Sequence, residues 1–152
     1  GTVTGNQIDL KEYDHAVAGS IKGFVVWGSV DEATGTSQLI MRQSGQTIKT
    51  DFAQAPARTG GTISSLAEDG SAKVTTVLFK GLDRSINQYT FEVNGQTMTV
   101  DVTSEDFKNN HFINPTYTAI LNGETVSYTL KGEACYKYSL HLAFLVLGAY
   151  FH

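Results

Sequence analysis

The chain has 152 residues, 41% of them apolar and 17% charged, and a formal net charge of −4. That is the length of one domain spanning residues 1–152, and a domain of this size typically buries about 68–70% of its unfolded surface, enough to fold without disulfides or a metal. Eleven basic residues against fifteen acidic ones argue against a nucleic acid as partner, because such binding needs clustered cations, and the aromatic content argues against disorder.

The sequence starts Gly1-Thr2-Val3-Thr4, with neither an initiator Met nor a basic-then-apolar leader. It reads as the start of either a processed chain or a trimmed one, and the first reading implies a secreted, periplasmic or cell-surface protein. The richest ionisable stretch follows, Asp9-Leu10-Lys11-Glu12-Tyr13-Asp14-His15. Asp14 and His15, joined in space by the distant His111, make a candidate metal site. Their spacing fits no EF-hand-type loop, and a solvated polar face is the plainer reading.

Residues 22–30 read as a strand in which Trp27 lies out of phase with Phe24 and Val26. Trp27 with Tyr13 or Tyr89 is therefore a candidate ligand-binding set for stacking on a sugar ring. Core packing is the plainer role for such aromatics. Next comes Ser44-Gly45, a weaker form of the hairpin signal, pairing Met41 with Ile48 inside and Ile40 with Lys49 outside. Residues 53–70, rich in Gly, Ala, Ser and Thr, read as a long surface loop, with a short helix at 64–68. Residues 72–80 read as a central strand with two semi-apolar faces.

Two Asn-Gly turns then stand between alternating segments, at Asn94-Gly95 and Asn122-Gly123. A type I′ turn needs positive φ at both central residues, which is why Asn-Gly marks a hairpin so strongly. The first pairs Phe91 with Met98 and Tyr89 with Val100, while Thr90 and Thr99 share the other face. The second pairs Tyr117 with Tyr128 and Ala119 with Val126. Apolar and polar residues separate onto opposite faces, as a sheet with one wet side requires. Between these hairpins, Ser104 is placed to cap one helical turn.

The C-terminal segment is the most unusual. Residues 142–151 are apolar without interruption, far short of the ~20 residues of a transmembrane helix, so no transmembrane segment is expected. Both a period-two and a 3.6-residue reading fit. Aromatic content and the all-β context favour a strand with two apolar faces. Such a strand is a hazard at a sheet edge, so it is either central in its own fold, the plainer reading, or covered by self-association through strand addition. Leu142, Phe144, Val146, Tyr150 and Phe151 are the candidate assembly residues. The single cysteine, Cys135, reads as a small buried residue rather than a reactive or intermolecularly paired thiol.

These elements predict an all-β, antiparallel sandwich of about eight strands, with a closed β-barrel as the alternative. The chain contains no phosphate loop, dinucleotide fingerprint, His-Glu-x-x-His or nucleophile elbow, so no catalytic residue and no cofactor is expected. The leading expectation is a non-catalytic surface module with a structural or adhesive role. A carbohydrate- or small-ligand-binding module and a His-based metal protein or enzyme are the alternatives.

Overall fold

In the computed structural model, which describes residues 1–31, 33–55, 58–145 and 147–151, the chain is all-β and antiparallel up to its last segment. The strands are β1 (Thr2–Gly5), β2 (Ile8–Tyr13), β3 (Ala16–Ile21), β4 (Phe24–Asp31) and β5 (Thr36–Gln43). They continue as β6 (Gln46–Ala55), β7 (Arg58–Ala67), β8 (Ala72–Asp83), β9 (Gln88–Val93) and β10 (Gln96–Thr103). Then come β11 (Asp106–Lys108), β12 (His111–Ile113), β13 (Thr116–Leu121), β14 (Glu124–Lys131) and β15 (Glu133–Cys135). Two helices end the chain, α1 (Tyr136–Leu145) and α2 (Leu147–Tyr150).

Twelve strands close into a barrel in the order β1-β14-β13-β10-β9-β8-β7-β6-β5-β4-β3-β2, and β11-β12-β15 form a separate three-stranded sheet. The all-β, antiparallel expectation holds, in its closed-barrel form rather than as a sandwich. Closure comes from β1 pairing with β14, Val3 opposite Leu130 and Thr4 opposite Thr129.

The three hairpins take the registers read from their turns. Phe91 faces Met98 and Tyr89 faces Val100, Tyr117 faces Tyr128, and Met41 faces Ile48. The two central residues of each Asn-Gly turn have positive φ, 49° and 81° at Asn94 and Gly95, 50° and 79° at Asn122 and Gly123. The Tyr117 and Tyr128 rings stack at 5.1 Å with planes 16° apart.

Two segments differ from expectation. Residues 53–70 are largely strand, in β6 and β7, with no helix at 64–68. Their small residues suit close strand approach: a Cβ on Gly61 would be driven into the carbonyl of Asp51 on the neighbouring strand. The turn after Ser104 is the short strand β11 rather than a helix, and the Ser104 hydroxyl bonds the Ile113 carbonyl at 2.9 Å instead of capping.

The largest correction is the C-terminus, a helix and not a strand. Leu140, Leu142, Ala143, Phe144, Leu145, Leu147 and Ala149 are all at most 1% exposed. Phe144 packs on Phe52 of β6 at 4.5 Å and on Phe91 of β9 at 6.5 Å. His141 reaches Ser37 of β5, and the Tyr128 hydroxyl of β14 donates to the Leu142 carbonyl at 2.6 Å. Contacts with walls on every side place α1 in the lumen.

The physical reason is barrel size. About eight strands make an interior that side chains alone fill, whereas a twelve-stranded wall has a backbone radius of about 12 Å. A helix with its side chains is about 10–12 Å across and fits the remaining core. A helix surrounded by strands must be largely apolar all round, as residues 142–145 and 147–150 are, while the buried Ser139 and His141 of α1 bond Tyr117 and Ser37 of the wall. Leu142, Phe144 and Tyr150, read as assembly residues, are core residues here, and Phe151 is half-buried. Val146 lies outside the described residues.

The barrel wall is apolar inside, while its outer face mixes polar side chains with exposed apolar ones such as Val25, Trp27, Val74 and Ile120. No helix among the described residues is long and apolar enough to cross a membrane. Outside, cross-strand pairs include Thr116 with Thr129 at 2.8 Å, Gln38 with Asp51 at 2.8 Å and Gln88 with Asp101 at 2.8 Å.

Candidate functional site

The two barrel ends differ. Where β1–β2, β3–β4, β5–β6, β9–β10 and β13–β14 join, the connections are two residues long. α2 finishes at this end, where Asn122 donates to the Tyr150 carbonyl and the Lys22 ammonium lies 4.3 Å from the Tyr150 ring centre. The β7–β8 connection at this end has four residues, and the opposite end combines the two-residue β2–β3 turn with residues 84–87 and the longest excursion of the chain. Residues 104–115 leave the wall between β10 and β13, and their strands β11 and β12 join β15 in the small sheet. α1 enters the lumen here.

Tyr136, the first residue of α1, organises this loop end. Its ring lies 5.4 Å from Phe107, 5.1 Å from Phe112, and 4.3 Å from the guanidinium of Arg84. Phe107 is 43% exposed, and Ile86, two residues after Arg84, is 59% exposed. The Tyr136 carbonyl accepts a 2.9 Å hydrogen bond from Tyr89, which fixes the start of the helix to β9.

Beside this aromatic cluster lies a cleft of about 330 Å³ bounded by β6, β8, β9 and α1. A bulge in β8 shapes it. The pairing shifts between Phe79, opposite Phe91, and Gly81, opposite Thr90. One extra residue reverses the alternation of faces, so Phe79 and Leu82 both turn toward the core and both line the cleft. Leu140 adds apolar surface, Arg84 and Lys137 supply two cations, and Gln54 contributes an amide. The Gln54 Oε1 atom is buried without a hydrogen-bond partner among the described residues.

The candidates read from sequence are distributed as follows. Trp27 lies on the outer wall, 39% exposed, with the Arg42 guanidinium 5.4 Å from its ring. Tyr13 is 56% exposed at the end of β2. Tyr89 points into the barrel and is 1% exposed, so the wall separates it from Trp27 and the two rings form no common platform. Asp14 and His15 form the β2–β3 turn with a 3.4 Å contact, and His111 bonds Glu133 at 3.1 Å. Glu12, Asp14, His15 and Glu133 line a second cleft of about 410 Å³. Among the described residues no three His, Cys, Asp or Glu side chains are grouped to hold a metal ion. Cys135 is half-buried and its sulfur accepts the Tyr138 amide at 3.4 Å.

Sequence reasoning missed Arg84, Tyr136 and Phe107. Arg84 sits in the connection after β8, 52 positions before the ring it covers, and no local pattern joins them. The one available signal was the Gly81 interruption of a strand, which marks bulges.

Compared with protein-family models, curated proteins and solved structures, the chain gives no match.

Proposed function

We propose that the protein is a non-catalytic surface module with a structural or adhesive role, whose recognition face is the loop end of the barrel. The supporting observation is the allocation of the interior. The lumen of a twelve-stranded barrel is filled by the chain's own C-terminal helices, which makes the barrel a solid scaffold and leaves recognition to its outside. Function-bearing groups concentrate on connections held by such a scaffold. At the loop end, exposed Phe107 and Ile86 flank the Arg84–Tyr136 pair, and aromatic residues and arginine are the residue types enriched at interface centres.

The test is retention of the full chain on a panel of glycans and extracellular-matrix proteins, with Phe107→Ser and Trp27→Ala variants run in parallel. Phe107 and Trp27 are both partly exposed, so both variants keep the fold. Binding that falls with Phe107→Ser and survives Trp27→Ala supports the loop end. Binding lost with Trp27→Ala alone moves recognition to the outer wall, and retention by none of the panel overturns the adhesive role. A second reading, a small-ligand-binding module, is favoured by the cleft beside Tyr136.

A further inference from the structure

We propose that the cleft between α1 and the bulged strand β8 binds a small carboxylate with an apolar body and a hydrogen-bond donor near its acid group, the chemistry of an N-acylated apolar amino acid. The inference rests on the small-ligand reading and specifies its ligand.

Three features of the cleft set three parts of the ligand. Arg84 and Lys137 both line it, and neither makes an ion pair with a carboxylate among the described residues. In a chain with a net charge of −4, two uncompensated cations at one cleft favour an anion. Arg84 is held by its stacking on Tyr136, and a positioned guanidinium offers a carboxylate paired N–H donors. The second feature is Gln54 Oε1, a buried acceptor lacking a donor. Buried polar atoms are nearly always paired, so an N–H or O–H on the occupant completes the site. Third, Phe79, Leu82 and Leu140 offer apolar surface to a side chain or ring. Tyr89 also borders the cleft, but its hydroxyl is committed to the Tyr136 carbonyl. A volume of about 330 Å³ stands at the small end of the ligand-site range, which excludes a large cofactor and suits one residue-sized molecule.

The bulge gives the arrangement its physical origin. With regular alternation Phe79 and Leu82 would face opposite sides of the wall. The extra residue brings both to the core side next to Arg84, and bulges recur where a strand must re-aim a side chain.

The experiment is an NMR titration of the isotope-labelled full chain with N-acetylphenylalanine and, separately, with its neutral primary amide. Saturable shifts at the Gln54 side-chain amide and at the Leu82 and Leu140 amides are expected, with the acid binding at least about tenfold tighter. Arg84→Gln, an exposed position, leaves the remaining spectrum unchanged and weakens the acid to the level of the amide. Gln54→Leu weakens acid and amide alike. Equal binding of acid and amide, unchanged affinity in Arg84→Gln, or shifts that stay linear across the millimolar range overturns the proposal. The Phe107→Ser variant is expected to bind the acid normally, so loss of matrix or glycan retention and loss of the carboxylate site are read independently.

Discussion

Inside the barrel, His141 of α1 has its Nδ1 atom 2.7 Å from the Ser37 hydroxyl, its ring edge-on to Phe52 at 5.4 Å, and its Nε2 atom without a partner. Burial disfavours the imidazolium and pushes the group down from 6.5 to about 4. The folded state therefore resists the proton that the unfolded chain accepts first. Stability is complete above pH 6.5 and declines as pH falls to about 4, by roughly 3 kcal/mol if the whole shift is realised. Urea denaturation at stepped pH across that window is expected to show this slope, and His141→Gln to flatten it. The carboxylates of Asp69 and Asp83 lie in a lower window. Each is held below 3.8 mainly by a serine hydroxyl two residues on, Ser71 and Ser85. Their stabilisation is present above 3.8 and lost below it, so the two effects separate on the pH axis. No local pattern marks His141, because burial on every side of a helix leaves no polar face to contrast with an apolar one.

Among the elements, α1 and α2 are tied to the wall by side chains that bond helix backbone, Tyr89 to the Tyr136 carbonyl, Tyr128 to the Leu142 carbonyl, and Asn122 to the Tyr150 carbonyl. The Tyr117 hydroxyl bonds Ser139 at 2.7 Å. Burial raises Tyr89, Tyr117 and Tyr128 above the ordinary phenol value, so all three remain neutral hydroxyls throughout the range in which the protein is handled. Tyr128→Phe is expected to cost about 1–2 kcal/mol in chemical denaturation, since it removes the hydroxyl from a fully buried pair. A loss within error would mean that the helix carbonyl is satisfied elsewhere. Near the exit, Gly148 lets the backbone of α2 lie against β5 and β6, where a Cβ would crowd Met41 and come within 2.6 Å of Thr50 Cγ2. The tyrosines were legible as inward-facing from period-two patterning. Their partners were not, because nothing local to residues 117–128 indicates that the opposite surface is a helix rather than a second sheet.

At the scale of the molecule, wall and filling form one core. Phe52 touches Phe91, Phe144 and His141, joining two strands to the helix. A barrel whose lumen is filled by its own C-terminus unfolds as a unit rather than by loss of the helix alone. Amides of residues 139–145 are therefore expected to exchange hydrogen as slowly as those of the central strands, at the rate set by global unfolding. Faster exchange confined to α1 would show a helix that leaves the lumen independently. The exposed loop-end residues 104–110 belong at the fast end of the same measurement.

The sequence by itself determined the hairpins at Ser44-Gly45, Asn94-Gly95 and Asn122-Gly123, their registers and which face of the two Asn-Gly hairpins is wet. Turn chemistry at Asn94-Gly95 and Asn122-Gly123 and the period-two pattern around them are local, and a one-residue slip would expose Phe91 or Tyr117. It determined as well that the C-terminal segment had to be enclosed by something. Only the tertiary structure decided what encloses it. Closure depends on β1 meeting β14 across more than a hundred residues, and on twelve strands rather than about eight. Once the wall is that wide, filling its lumen favours a helix, the conformation that satisfies its own backbone hydrogen bonds while presenting apolar side chains in every direction. The cleft at Arg84 and Tyr136 has the same origin, since it exists only where that helix enters the closed barrel. The low share of charged residues, 17%, thus reflects one internal helix in addition to ordinary sheet faces.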